Sequence, residues 1–169
     1  MKSSTSFTPV SLLNDLDACF TAQKWVRQNK FISLDEAWLK CERGDWMLWF
    51  AAKRNIKRET LVLIACECAR LALLFTKDPR VLKCIETAEA WTRGEATIER
   101  VCEARVAAYA AYAAAADDAY DAAYAAAAAY AAYAAAYAAG DDDAYDAYAR
   151  KRILNECADI VRKHLPTLP

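Results

Sequence analysis

Aspartate and tyrosine residues crowd into one stretch of the chain, where their types suit the recognition of another molecule. From Ala104 to Ala149 there are 27 Ala, 9 Tyr and 7 Asp among 46 residues. Arg105 is the only cation in this stretch, which we call the acidic segment, so the segment has a net charge of −6. Since the whole chain has a net charge of −1, the other residues together carry +5. Carboxylates attract a cationic partner at long range, and aromatic side chains anchor it on contact. Their combination is typical of a surface that covers a cationic effector such as a nuclease. The candidate contacts are Asp117, Asp118, Asp121, Asp141, Asp142, Asp143 and Asp146.

The acidic segment also has a purely structural interpretation. Alanine lets helix backbones approach closely, and tyrosine adds buried area with a hydroxyl that reaches water or backbone. On a helix, Tyr130, Tyr133 and Tyr137 fall within about 60° of arc, whereas Asp118 and Asp121 lie on another side. A packing face, a partner surface and a seam between two copies of the chain therefore all stay open.

A pocket for a nucleotide-like ligand is a second hypothesis, in which Arg70 or Arg80 meets the phosphates and aromatic rings line the wall. The same residue types also suit a buried ion-pair network and a helical core. The candidate polar residues are Arg43, Asp45, Arg70, Arg80, Glu86 and Glu89. The candidate lining residues are Trp46, Trp49, Trp91, Tyr120 and Tyr124.

Residues for catalysis or metal binding are harder to assemble. Cys66 and Cys68 would lie about 200° apart on a helix, too far to share one metal. The single histidine, His164, sits where it would complement a helix dipole, and the seven cysteines suit small buried apolar residues. No glycine-rich phosphate loop, H-E-x-x-H or G-x-S-x-G occurs. We therefore predict a protein that is not an enzyme and that needs no cofactor and no metal.

Charge and cysteine usage indicate the compartment and exclude some partners. With a net charge of −1 and a pI of about 5.9, the chain as a whole is not attracted electrostatically to nucleic acid or to an anionic membrane. The uncharged run from Ala122 to Gly140 is long enough to span a bilayer, but alanine inserts weakly and aspartates flank it. An odd number of scattered cysteines suits a reducing compartment, and no secretory signal is apparent. We expect a cytoplasmic protein with no nucleic-acid or membrane partner.

Composition predicts the architecture that must position these residues. The hydrophobic fraction is 57%, yet the mean hydropathy is only −0.05, because 39 residues are alanine. Three Gly and four Pro are too few for the frequent turns of an all-β domain. The prediction is an all-α protein, a compact bundle of about seven to eight helices with a long Ala/Tyr-rich helical segment. In this single domain, core helices occupy 8–95, the Ala/Tyr/Asp-rich module 96–149 and a C-terminal helix 150–165.

Capping signals and apolar stripes predict where the helices begin and end. A helix capped by Ser11 runs to about Asn29, and a capping box at Ser33 opens a helix that Gly44 stops. Within the acidic segment we expect a break at 117–118 and a turn at Gly140. The other predicted helices are Trp46 to Arg54 capped by Asp45, a central helix between Lys57 and Phe75, Pro79 to the residue before Gly94, one from Thr97, and Asp142 to Leu165. Residues predicted to face inward are Trp46, Trp49 and Phe50, then Val81, Cys84, Ile85, Ala88 and Trp91, and finally Ile153, Leu154, Cys157, Ile160 and Val161.

The sequences of several of these helices resemble those of a family of small all-helical immunity proteins. The family belongs to bacterial polymorphic toxin systems, and phages also encode members of it. The resemblance covers most of the chain from about Asp35 onward. Its motifs are Ala37-Trp38, Cys41-Glu-Arg-Gly-Asp-Trp-Met-Leu-Trp49, Leu61 to Ala72, Ile85-Glu-Thr-Ala-Glu-Ala-Trp91, the Ala/Tyr tract and Cys157-Ala-Asp-Ile-Val-Arg-Lys-His164. It implies a non-enzymatic inhibitor that binds a cognate toxin inside the producing cell. The alternative, for a phage, is an anti-defence protein that binds a defence protein or sequesters a nucleotide-like signal.

Overall fold

The protein is all-α in the residues that the computed structural model describes, which are 8–74, 77–113 and 144–169. Eight α-helices, one short 3-10 helix and no strand occur in these ranges, which confirms the predicted fold class. The helices are α1 (Pro9–Asp15), α2 (Phe20–Asn29), α3 (Leu34–Lys40), α4 (Gly44–Lys53), α5 (Arg58–Arg70), the 3-10 helix (Leu71–Leu74), α6 (Pro79–Thr92), α7 (Ile98–Ala113) and α8 (Ala144–His164). No helix of the described ranges is long and apolar enough to cross a membrane.

The core lies where α4 and α5 pack against α8. In α8 the residues Ile153, Leu154, Cys157 and Val161 of the predicted stripe are buried, whereas Ile160 is half-buried against the core. Facing it are Met47, Leu48, Phe50 and Ala51 from α4, and Ile64, Ala65 and Cys68 from α5. The C-terminal helix is therefore a central element of the bundle.

Gly44 is the first residue of α4, so the prediction that it stops the preceding helix and that Asp45 caps the next one is wrong. Gly44 is buried, and a Cβ atom there would stand 2.7 Å from the carbonyl carbon of Cys157 and 2.8 Å from the nitrogen of Ala158. The missing side chain lets α4 and α8 approach closely. The preceding helix, α3, already ends at Lys40, and Arg43 is the residue that flanks the start of α4.

The predicted first helix is in fact two helices, α1 and α2. Thr8 caps α1, its hydroxyl accepting from the Ser11 nitrogen, so Ser11 is a helical residue and not the cap. Asp17 then takes a left-handed conformation, with φ 59°. The Ala18 nitrogen donates to the Leu13 carbonyl at 2.9 Å, and both side chains are buried. A turn that buries apolar side chains outweighs the helical periodicity of this stretch.

Three helices end with the same pair of backbone hydrogen bonds, the Schellman motif. In each, a residue with positive φ follows the helix, and the next nitrogen donates back to the carbonyl five residues earlier. These residues are Asp17, Asn55 and Gly94, with φ of 59°, 59° and 73°. The closing bonds are Ala18 to Leu13, Ile56 to Ala51 and Glu95 to Ala90. Gly94 ends α6 as predicted.

The other predicted caps agree with the structure. The Ser33 hydroxyl accepts from the Glu36 nitrogen, Asp78 accepts from the Arg80 nitrogen, and Thr97 accepts from the Arg100 nitrogen. In α6 only Ile85 of the predicted stripe is fully buried, because α6 packs between α5 and α7 at the edge of the bundle. The expected break at 117–118 and turn at Gly140 lie outside the described residues.

Candidate functional site

Four of the five tryptophans converge on one cleft of about 60 Å³ between α2, α3 and α4. Trp38 is buried, with 4% of its surface exposed, whereas Trp25, Trp46 and Trp49 are half-buried. The rings of Trp25 and Trp46 meet edge to face with centroids 6.0 Å apart, and Trp38 lies 6.1 Å from Phe50. The remaining lining residues are Leu13, Ala22, Val26, Leu34, Ala37, Cys41, Met47, Phe50 and Leu168. The cleft is thus an apolar recess with aromatic walls.

Two cations stand at the tryptophans of the cleft. Arg43 forms two hydrogen bonds with the carboxylate of Asp45, at 2.8 Å and 2.6 Å, and its guanidinium carbon lies 4.3 Å from the Trp46 ring centroid. The bonds to Asp45 hold the pKa of Arg43 above its usual value, although burial lowers it. The Lys53 ammonium lies 5.8 Å from the Trp49 ring centroid. Predicted site residues Arg43, Asp45, Trp46 and Trp49 therefore come together here.

The prediction that Trp46, Trp49 and Phe50 are all core residues holds fully only for Phe50, which is 6% exposed. Trp46 and Trp49 pack against the core with one side and leave the other side toward the cleft and its cations. They leave part of their aromatic surface accessible, as contact residues do.

Behind the cleft, α8 holds the end of α3 in place. Arg162 donates to the carbonyl oxygens of Trp38 and Cys41, at 3.3 Å and 2.7 Å, and to the carboxylate of Asp159 at 2.6 Å. The indole nitrogen of Trp38 donates to the Leu165 carbonyl at 3.1 Å. These bonds satisfy carbonyls that a helix end leaves without partners. Arg162 therefore positions the buried tryptophan wall of the cleft.

The other predicted polar residues lie away from the cleft, and Arg70, Arg80 and Glu89 form ion pairs there. Arg70 forms two hydrogen bonds with Glu89, at 2.8 Å and 2.7 Å, which join α5 to α6. Arg80 pairs with the helix-capping Asp78 at 2.7 Å, and Glu86 is exposed. None of these residues lines the cleft.

The remaining predicted site residues fall in other places. Trp91 is half-buried in α6, with the guanidinium of Arg58 5.5 Å from its ring centroid. Asp146 lies in the first turn of α8. Asp117, Asp118, Asp121, Asp141, Asp142, Asp143, Tyr120 and Tyr124 lie outside the described residues.

Sequence reasoning missed a charged cluster between α5 and α8. His164 Nε2 lies 2.8 Å from one carboxylate oxygen of Glu67, and the Lys163 ammonium lies 3.2 Å from the other. Partial burial raises the pKa of Glu67, but the hydrogen bonds from His164 and Lys163 outweigh it, and the pKa lies below its usual value. No local pattern connects residues 97 positions apart, so only the tertiary structure reveals this cluster.

The buried thiols are not poised for nucleophilic chemistry. Burial raises the pKa of Cys41 to about 11 and that of Cys66 to about 12. A hydrogen bond with Cys157, together with burial, raises the pKa of Cys68 further. Since the thiolate is the reactive form, these side chains act as packing groups. Among the described residues, no group of three or more His, Cys, Asp or Glu side chains could hold a metal ion.

Comparison of the chain with models of protein families, with curated proteins and with solved structures finds no match.

Proposed function

We propose that the protein is an inhibitor that neutralises a cognate toxin or effector by stoichiometric binding, in the manner of an immunity protein. The observation that carries the proposal is the cleft, where four tryptophans meet beside Arg43 and Lys53. Tryptophan and arginine are the residues most enriched among binding hot spots between proteins. The resemblance of the helical motifs to immunity proteins points to the same role.

The size of the cleft favours a protein partner over a small ligand. Pockets for drug-sized molecules have volumes of about 300 Å³ or more, whereas this cleft measures about 60 Å³. That volume suits one inserted apolar side chain rather than a nucleotide-like molecule. The sequestration of a nucleotide signal is therefore the weaker hypothesis.

The arginines proposed for phosphate binding support the same choice. Arg70 and Arg80 each hold a carboxylate in a short ion pair, and neither lines the cleft. A phosphate would have to displace Glu89 or Asp78 from its arginine. Both arginines have a structural role without a phosphate: the ion pair of Arg70 with Glu89 joins α5 to α6, and Arg80 pairs with Asp78, the residue that caps α6.

The aspartates of the acidic segment supply long-range attraction in this proposal. Their charge lies in a segment that sums to −6, so a cationic effector would be steered toward it before the aromatic contacts form. Electrostatic steering changes the association rate and its salt dependence more than it changes the short-range contacts.

A test of this proposal first takes a candidate toxin from the genes that neighbour the one encoding this chain, and then measures protection and affinity with it. Co-expression is expected to restore growth, and calorimetry to give a one-to-one complex. Replacing Asp117, Asp118 and Asp121 by Asn, or Asp141 to Asp143 by Asn, should weaken binding about tenfold at low salt and less at high salt. A control with Asp15→Asn, Asp17→Asn and Glu103→Gln changes the same charge on exposed residues outside the proposed contacts and should keep the affinity. No protection, or equal loss in all three variants, contradicts the proposal.

A further inference from the structure

Four exposed cations surround the turn between α4 and α5. Lys53 and Arg54 end α4, Lys57 and Arg58 begin α5, and we call this group the basic corner. Lys53, Lys57 and Arg58 form no ion pair with an Asp or Glu side chain of a described residue, whereas Arg54 holds the oxygen of Pro169. Glu59 is the only acidic residue from 50 to 60. By contrast, Arg43, Arg70, Arg80 and Arg93 each hold an acidic neighbour. The basic corner thus carries positive charge that the described fold does not neutralise.

Local contacts hold three of these cations in place. The Lys53 ammonium lies over Trp49 and the Arg58 guanidinium over Trp91, at 5.8 Å and 5.5 Å from the ring centroids. The Arg54 Nε donates to the backbone oxygen of Pro169 at 3.0 Å. Side chains ordered in advance lose less entropy on binding than free ones do.

The basic corner is continuous with the tryptophan cleft. Trp49 lines the cleft, and its ring also contacts the ammonium group of Lys53. Leu168 lines the cleft as well, and the next residue, Pro169, is bound by Arg54. An apolar recess and a set of unneutralised cations therefore share one edge of the molecule.

We infer that the cleft and the basic corner together bind an acidic peptide segment of the partner. One apolar side chain of that segment enters the cleft, and the carboxylates that follow meet Lys53 and Lys57. This inference rests on the proposed function, because the segment belongs to the protein that is inhibited. The partner then meets two surfaces of opposite sign, the basic corner and the acidic segment.

Two features favour an acidic peptide over a nucleic acid or a membrane. The recess has the volume of one side chain, which is narrow for a nucleobase between stacking rings. The chain carries −1 overall and six aspartates between 117 and 143, so an extended polyanion or a charged bilayer is repelled at long range. A short peptide brings only a few charges and feels less of that repulsion.

The test titrates the full-length protein with synthetic peptides and follows the tryptophan indole and backbone amide signals by NMR. The probes are a peptide with one leucine followed by four glutamates, the same peptide with glutamines, and the glutamate peptide with serine in place of leucine. The leucine–glutamate peptide should shift the signals of Trp46, Trp49 and residues 53–58 and bind more tightly than either control peptide.

Variants locate the binding on the molecule. Lys53→Gln with Lys57→Gln should weaken the peptide about fivefold, as expected for two exposed charge pairs. Lys77→Gln with Lys83→Gln removes the same charge from other exposed positions and should leave the affinity unchanged. Ala22→Leu fills the recess from inside and should abolish the advantage of leucine over serine. Circular dichroism confirms that each variant is folded.

Three results would overturn the inference. The first is that the peptide causes no NMR shifts at Trp49 and residues 53–58, and the second is that the two double-lysine variants bind the peptide with equal affinity. The third is that a thymidine octanucleotide or phosphatidylserine vesicles bind the same residues more tightly than the peptide does. The outcome is separable from that of the proposed function. A protein that binds the peptide but gives no protection against the toxin keeps the basic corner and loses the proposed function. If the protein protects against the toxin but the basic corner does not bind the peptide, the proposed function stands and the inference about the basic corner is wrong.

Discussion

The cysteines illustrate how position in the fold sets the chemistry of a residue. Cys41, Cys66, Cys68 and Cys157 are buried, whereas Cys19 and Cys102 are exposed, so the prediction of buried cysteines is wrong for these two. Cys66 lies one turn of α5 from the ion pair of Arg70 and Glu89, yet burial keeps its pKa near 12. A thiol with so high a pKa is almost entirely protonated at neutral pH, and protonated thiols react slowly.

We predict that native protein treated with iodoacetamide at pH 8 is alkylated at Cys19 and Cys102 and protected at Cys41, Cys66, Cys68 and Cys157. All four protected cysteines are buried, and the raised pKa values of Cys41, Cys66 and Cys68 act in the same direction as their lack of solvent access. Peptide mass spectrometry after brief labelling measures the modified fraction at each site. The control is labelling in urea, where all seven cysteines should react. Rapid native labelling of Cys66 or Cys68 would contradict the packing described above.

At the scale of elements, the crossing of α4 and α8 depends on one glycine. The nearest atoms around Gly44 include the backbone of Cys157 and Ala158, which cannot rotate away as a flexible side chain can. Cys157 and Ala158 are also almost fully buried, so a displacement of α8 would disturb the packing of Ile64 and Val161. The close approach therefore sets the register between the two helices.

We predict that Gly44→Ala lowers the free energy of unfolding by about 3 kcal/mol, because the added methyl group forces two packed helices apart. Urea denaturation followed by circular dichroism measures the change. Gly94→Ala is the matched control, since a Cβ there meets nothing within 4 Å. Only its positive φ of 73° opposes the substitution, at a cost of about 1 kcal/mol. A Gly44 variant as stable as the Gly94 variant would show that the helices are not in such close contact.

At the scale of the whole molecule, the C-terminal end of the chain is bound to its first half. Trp38 and Leu165, Cys41 and Arg162, and Arg54 and Pro169 are hydrogen-bonded over separations of 127, 121 and 115 residues. Such long-range contacts make α3, α4 and α8 depend on one another. The tryptophan cleft exists only when these three helices are assembled, because Leu168 and the wall at Trp38 belong to it.

We predict that Arg162→Lys lowers the free energy of unfolding by about 1–2 kcal/mol, because a lysine cannot reach both helix-end carbonyls and Asp159 with planar geometry. The loss should appear equally in the tryptophan fluorescence of the cleft and in the helical circular dichroism. Arg152→Lys is the control, since Arg152 forms only an exposed ion pair with Glu156 on the same helix. Equal stability of the two variants would contradict the role of Arg162.

Local signals were sufficient for much of the helix pattern. Ser33, Asp78 and Thr97 cap helices as their side chains predict, Gly94 ends α6, and the α8 stripe faces inward. Each of these features depends on atoms within a few residues, namely a hydroxyl or carboxylate near the first free amides and a repeat of 3.6. Arg43, Asp45, Trp46 and Trp49 were likewise named as candidate site residues from the sequence, whereas Trp25 and Trp38 were not.

What only the tertiary structure decided is where distant residues meet. It split the first predicted helix at Asp17, placed Gly44 inside α4 against α8, and brought Glu67 to His164. It also gathered Trp25 and Trp38 with Trp46 and Trp49 into one cleft beside the basic corner. The physical reason is that burial and close packing depend on partners far away in sequence, whereas helix propensity and capping depend on neighbours. The sequence by itself therefore determined the helical class and most helix ends, and the packing of α2, α3 and α4, with α8 behind α3, determined the candidate site.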